Sequence, residues 1–343
     1  MLPPDSVRCE RAIRGTVRNL KNEIKVKPLR NLCPTAPHPL ELVEADLTKP
    51  KSWLPAVNGC DFVLHTASPV PTVLTAPEDE IVKPAVEGTL SVLKACAQTP
   101  SVKRVVYTSS VVAIAFGHGP LTKGKRYTED DWSDVTGPGM SPYEKSKTLA
   151  EGAAWEFVRN ITDDENRFEF TTVCPSFCLG PMLQQAESSG LTVIKRIMMR
   201  EFPMIPRVQL VCVDVQDVAT AHLRAMTSPQ AAGQRFMVSE KGMWIKDMAK
   251  VLAKEFNDKG YKIPTKQAPK SVLKFVSLFN KELKGVVPHL NVSRELDCTK
   301  VRQTLGVQLH PSEAALVGMA YSMIEKGVVP QSKKLKKISS RTS

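Results

Sequence analysis

Apolar residues along this chain fall into short runs, separated by longer stretches with helical spacing. Ile13-Arg14-Gly15-Thr16-Val17-Arg18, Leu40 to Asp46, Asp61 to Thr66, Arg104 to Thr108 and Phe168 to Cys174 are short and rich in β-branched or aromatic residues, as strands are. Between them, Asn22 to Leu32, Trp53 to Val57 and Ile81 to Gln98 carry apolar residues every three or four positions, which predicts helices. Asn58-Gly59 ends the second of these. Strand and helix alternating at this spacing predict an α/β fold, a doubly wound parallel sheet with helices on both faces. After about residue 180 the pattern loosens. Strands are predicted over Val208 to Val213 and Arg235 to Val238, and helices over Asp217 to Met226, Ile245 to Phe256 and Ala314 to Glu325. Residues 1–13 alternate Val7, Cys9 and Ile13 with charged neighbours and make a poor buried strand.

In sheets of this kind ligands bind beyond the carboxyl ends of the strands. Arg18, Asp46, Thr66, Ser110 and Pro175 each stand at or just after such an end. A loop from Phe116 to Met140 with five glycines then leads to Ser141-Pro142-Tyr143-Glu144-Lys145-Ser146-Lys147, the predicted start of a helix. Tyr143 and Lys147, four apart, face the same way on it. A phenol beside an ammonium ionises more easily, so such a Tyr can exchange a proton with a carbonyl oxygen near neutral pH. A hydroxyl such as Ser110 can hold that carbonyl by hydrogen bonding. This chemistry is carbonyl reduction or alcohol oxidation with a nicotinamide cofactor. Taken alone, the Tyr–Lys pair is a weak signal, more often a surface cation lying over an aromatic ring, so the rest of the chain decides.

Composition narrows the classes. With 343 residues, 42% hydrophobic and 24% charged, the chain suits one large soluble domain, or one domain with a smaller lobe. No run is long enough to span a bilayer, and Met1-Leu2-Pro3-Pro4-Asp5 lacks the apolar core of a signal peptide. The eight cysteines are scattered, and only Cys174 and Cys178 lie close together. Reduced thiols, no metal set and a cytoplasmic location are therefore expected. The net charge of +12 is dispersed, and its dense run Lys333-Lys334-Leu335-Lys336-Lys337 has no interleaved aromatics. No nucleic-acid or membrane partner is expected. The ligands would be a small-molecule carbonyl or alcohol and a phosphorylated cofactor, in a monomer or homodimer.

Several segments together resemble the extended short-chain dehydrogenase/reductases, and within them the branch containing dihydroflavonol 4-reductase and cinnamoyl-CoA reductase. They are Arg14-Gly15-Thr16-Val17-Arg18, Val43-Glu44-Ala45-Asp46-Leu47, His65-Thr66-Ala67-Ser68-Pro69, Tyr107-Thr108-Ser109-Ser110, Tyr143-Glu144-Lys145-Ser146-Lys147, Cys174-Pro175-Ser176 and Asp214-Val215-Gln216-Asp217-Val218-Ala219. The resemblance runs from about Ile13 to Val329. It implies a Rossmann-like domain over 13–180 and a smaller substrate lobe over 181–330 interleaved with the sheet; the lysine run leads to the expectation of a disordered basic tail over 331–343. It implies Tyr143 as proton donor, Ser110 (with Ser109 the competing choice) as its hydrogen-bonding neighbour, and Lys147 lowering the Tyr143 pKa and binding the nicotinamide ribose. Arg18, assisted by Lys25, would clamp a 2′-phosphate, which makes NADPH the expected cofactor. Asp46 and Leu47 would contact adenine, Thr66, Ala67 and Ser68 would line the ribose and pyrophosphate, and Pro175 would pack on the nicotinamide. His65 is expected to be a satisfied core residue, and Asp214 and Asp217 to be helix caps. Gln184, Met198, Met199 and Phe202 are candidate substrate-pocket residues, with plain core as the other reading.

The chain departs from this family in one respect. No glycine-rich G-x-x-G turn precedes Gly15, where the family holds the pyrophosphate at a helix N-terminus. The strand before that turn would lie between those beginning near Ile13 and Asp61. Its loss would leave unpaired edge groups costing roughly 1–3 kcal/mol each if buried. A shortened gene model or alternative transcript is the simplest origin, and weak NADPH binding is expected. A catalytically inactive binding or regulatory protein is the alternative to a reductase.

Overall fold

The computed structural model describes residues 11–69, 77–118, 126–164, 167–184, 189–202 and 204–336. The first half runs β1 (Arg14–Val17), α1 (Glu23–Arg30), β2 (Glu41–Glu44), α2 (Trp53–Val57), β3 (Phe62–His65), α3 (Glu78–Ala97), β4 (Arg104–Thr108), α4 (Pro142–Arg159) and β5 (Glu169–Pro175). The second half runs β6 (Phe177–Leu179), α5 (Ser189–Met198), β7 (Gln209–Asp214), α6 (Val215–Thr227), β8 (Arg235–Val238), β9 (Lys241–Trp244) and α7 (Ile245–Phe256). It closes with α8 (Lys270–Ser277), α9 (Lys281–Val286), α10 (Thr299–Leu305) and α11 (Ser312–Glu325). Each strand and helix predicted from periodicity is present within a few residues. Residues 1–10, on which the expectation of a poor strand rests, lie outside the described residues.

The central sheet has the order β3-β4-β5-β8, all parallel. Strands β4, β5 and β8 are buried along nearly their whole length, which their unbroken runs such as Val105-Val106-Tyr107 and Phe236-Met237-Val238 require. Strand β8 belongs to the second half of the chain yet pairs with β5, so the two halves are interleaved. A separate sheet, β6-β7-β9, backs a second apolar cluster that includes Leu179, Ile194, Leu252, Phe256, Leu316 and Met323.

Strands β1 and β2 pair in parallel as a sheet of their own, and among the described residues no strand joins β1 to β3. This break lies where the family comparison of the sequence places its missing strand. Both strands bordering it are at most half-buried save for His65 at the tip of β3, so water reaches their edges and the cost expected for buried orphan groups is reduced. The junction is bridged by Arg14, whose Nη1 donates to Asn58 O at 2.7 Å and Ala56 O at 3.3 Å.

Two expectations need correction. Residues 331–336, expected to begin a disordered tail, are tied down: Ser332 Oγ donates to Lys259 O, and Leu335 packs against the second apolar cluster. The single Leu among the lysines supplies the anchor. Residues 337–343 lie outside the described residues. Asp214 caps α6, accepting from Gln216 N at 2.8 Å, but Asp217 is not a cap. It is buried in the first turn and accepts from His310 N at 2.7 Å, which ties the segment before α11 to α6.

Candidate active site

Helix α4 starts where it does because its first turn is over-determined. Pro142 takes a position whose N–H has no helical partner anyway. Ser141 Oγ accepts from Glu144 N at 3.3 Å, and Glu144 Oε2 accepts from Ser141 N at 2.6 Å, a reciprocal cap. The chain reaches Ser141 through a crossing of two glycine segments. Gly117 has φ +77°, and a Cβ on Gly137 would lie 1.8 Å from Gly117 O, so neither position tolerates a side chain.

Tyr143 and Lys147 then sit one turn apart on α4. Lys147 Nζ lies 5.9 Å from the centroid of the Tyr143 ring and donates to Ser68 Oγ at 2.8 Å. Ser68 follows β3, so this bond fixes α4 to the tip of that strand. Ser110 follows β4 and caps a short 3-10 turn over Val111–Ala113, accepting from Val112 N at 3.2 Å. Helix α4 packs against that turn. The β4–β5 register sets Thr108 beside Val173, which brings Ser110 level with Pro175, and Ser110 Oγ makes a long 3.5 Å bond to Pro175 O. The structure thus brings Tyr143, Lys147, Ser68, Ser110 and Pro175 to one end of the sheet.

Ser109 is committed elsewhere. Its Oγ donates to Glu151 Oε2 at 2.6 Å, inside a fully buried network. There Glu151 meets Arg235 Nε at 2.8 Å and Nη2 at 3.1 Å, and also accepts from Thr172 and Trp155. Ser110, with only weak bonds, is the hydroxyl left to engage a ligand. Sequence reasoning missed the Glu151–Arg235 pair. The available signal was that Glu151 lies four residues past Lys147 on the same face of α4.

Burial pushes Lys147 down to about 8, and burial pushes the Tyr143 phenol up, with the nearby Cys178 and Glu144 adding to the rise. The Lys147 ammonium is held by Ser68 Oγ at 2.8 Å. His65 departs from expectation. It is core, with its ring 5.3 Å from Tyr107, but among the described residues its Nε2 has no hydrogen-bond partner, and burial, then the Lys147 charge, lowers it to about 4. Among the pocket candidates, Met198 is plain core, Phe202 is half-buried against the Arg196 guanidinium, and Met199 is exposed.

The other predicted residues lie toward β1 and β2. Arg18 and Lys25 are exposed, at the tip of β1 and in the first turn of α1. Asp46 is half-buried; its carboxylate accepts from Thr48 N at 2.9 Å and Thr48 Oγ1 at 2.8 Å, which holds it well below the usual carboxylate range, with the Arg18 charge contributing. Leu47 packs on Gly88 of α3, where a Cβ would come within 2.9 Å of it. Thr66 is exposed and Ala67 half-buried after β3.

These residues fit a dinucleotide at its two ends and not in its middle. Lys147 is a desolvated donor bonded to a hydroxyl, the chemistry a ribose presents. Arg18 and Lys25 offer exposed cations suited to a phosphate. Among the described residues, however, no glycine-rich turn leads into a helix at the strand tips. The helix after β3, α3, starts with Glu78, Asp79 and Glu80, which repel a pyrophosphate.

Residues 17–265 match the 3-beta hydroxysteroid dehydrogenase/isomerase family. The chain belongs to that family. Among characterised relatives, a cinnamoyl-CoA reductase of Medicago truncatula is 31% identical over 316 residues, 92% of this chain and 88% of the relative. A bifunctional dihydroflavonol 4-reductase/flavanone 4-reductase of Pyrus communis is 34% identical over 264 residues, 74% of this chain and 72% of the relative. Among solved structures, Gre2 of Candida albicans in complex with NADPH superposes with a TM-score of 0.74 at 26% identity, covering 92% of each chain. The family and the Rossmann-like fold agree with the resemblance read from the sequence motifs.

Proposed function

We propose that this chain is an NADPH-dependent reductase of an aldehyde or ketone. The observation that carries the reading is the part-buried Lys147–Ser68 bond one helical turn from Tyr143, with Ser110 held at the tip of β4 against the same helix. In this reading the carbonyl oxygen of the substrate accepts from Tyr143 Oη and Ser110 Oγ. Tyr143 gives its proton to that oxygen as the alcohol forms. Lys147 and Ser68 would bind the nicotinamide ribose, and Pro175 would back the ring. Asp46, Leu47, Thr66 and Ala67 would line the adenosine half, and Arg18 and Lys25 would hold the 2′-phosphate. When bound, NADPH supplies the hydride to the carbonyl carbon. The relatives that reduce cinnamoyl-CoA and dihydroflavonols, and the Gre2 complex with NADPH, support this class of chemistry.

The break between β1 and β3 favours a second reading, a catalytically inactive protein that acts by binding. A panel of aldehydes and ketones, followed through consumption of NADPH, separates the two. The reductase reading expects turnover that saturates only at high NADPH, because the pyrophosphate is poorly held. No turnover with any carbonyl, at NADPH levels that saturate binding in calorimetry, would favour the second.

A further inference from the structure

Helix α8 has its apolar stripe on the wrong side for a folded core. Val272, Phe275, Val276 and Phe279 recur at the i, i+3, i+4, i+7 spacing of one helix face, carried past residue 277 by Phe279 N donating to Val276 O. That face points outward, with Phe275 66%, Leu278 75% and Phe279 81% exposed, whereas Leu273 on the other side packs against the second apolar cluster. The Phe275 and Phe279 rings meet edge to face at 5.7 Å and so form one exposed aromatic knob.

The sequence around this stripe is predominantly basic. From Lys259 to Val286 the sequence holds seven lysines and a single acid, Glu282. Lys262, Lys266, Lys270, Lys274 and Lys284 are exposed, and among the described residues none is in an ion pair. Exposed Lys333, Lys334 and Lys336 extend the same surface, because Ser332 is anchored to Lys259 and Tyr261.

We infer that the α8 face docks on an anionic lipid surface, Phe275, Leu278 and Phe279 entering the headgroup boundary and the lysines meeting lipid phosphates. Exposed aromatics on a helix ringed by lysine suit the interface between water and acyl chains, where apolar burial and attraction to anionic lipid add together. A protein partner with an acidic groove is a different proposal, and the breadth of the lysine field, from residue 262 through 336, favours an extended surface over a narrow groove. No described helix is long and apolar enough to cross a membrane, so this contact is peripheral. The sequence expectation of no membrane partner rested on the lack of a spanning segment, and that test is blind to a surface of this kind.

The test is sedimentation of the full chain with vesicles of phosphatidylcholine, with and without phosphatidylserine, at low and high salt. Binding should require phosphatidylserine and weaken as salt rises. Lys270→Gln/Lys274→Gln should weaken it roughly 30-fold, at about 1 kcal/mol per lysine. Phe275→Ser/Phe279→Ser should abolish it while leaving the thermal midpoint unchanged, since both rings lie at the surface. The inference is overturned by absence of binding to phosphatidylserine vesicles, or by binding that neither variant weakens. It is also overturned if the phenylalanine variant turns a dimer into a monomer without changing vesicle binding, which would make the stripe a seam between two copies.

Discussion

The two sides of the sheet are built to different standards. From β3 to β8 the strands form one parallel ladder, and β4, β5 and β8 are buried almost throughout. Helix α4 is locked beneath them by the Glu151–Arg235 pair and at its start by the Ser141–Glu144 cap. On the other side β1 and β2 form a half-exposed pair, attached through Arg14 and through apolar packing of Val43, Ala45 and Leu47. The proposed proton donor and its neighbours stand on the first side, and the proposed phosphate-binding cations on the second. The contrast teaches that packing can fix the residues of the proposed reacting centre while those proposed for the cofactor's far end are left on exposed side chains.

Removing the buried anchor should have the largest effect on stability. Glu151→Ala leaves Arg235 uncompensated in the interior and should cost about 3–5 kcal/mol in urea unfolding. A cost below 1 kcal/mol would mean that the α4 side is held by other means. Next comes acid sensitivity. His65 titrates at about 4 in the fold against about 6.5 in the unfolded chain. Between those values the unfolded chain binds a proton that the folded one refuses, so stability falls as pH drops from about 6.5 to 4. The part due to His65 is up to about 3 kcal/mol and should vanish in His65→Phe, measured as the difference between the two unfolding curves across that range. The smallest effect belongs to the far side. Arg14→Met removes a half-exposed ion pair with Glu41 and the bonds to Asn58 and Ala56, and should cost only about 1 kcal/mol. A loss as large as that of Glu151→Ala would erase the distinction between the two sides.

Much of this was legible in the sequence where local pattern decides the structure. Strands such as Arg104–Thr108 and helices such as Ile245–Phe256 came directly from periodicity and burial. Among the described residues β1 and β2 form a sheet apart from β3, beside the place where the sequence lacks a glycine-rich turn before Gly15. Phe177–Leu179, Lys241–Trp244 and α8 were not read from the sequence. The bonding of Lys147 was hidden as well. Its partner Ser68 is 79 residues away, so no local pattern records that the ammonium is held by a hydroxyl. The Nε2 of His65, unpartnered among the described residues, likewise follows from packing against Trp53 and Tyr107, which only the fold assembles.

The most direct test of the central claim compares carbonyl reduction by the wild-type chain and by Tyr143→Phe, at NADPH concentrations that saturate each. Loss of the proton donor should lower turnover roughly 10²–10⁴-fold with the unfolding midpoint unchanged. Equal turnover in the two proteins would contradict the assignment of Tyr143 and, with it, the reading of this end of the sheet as the reacting centre.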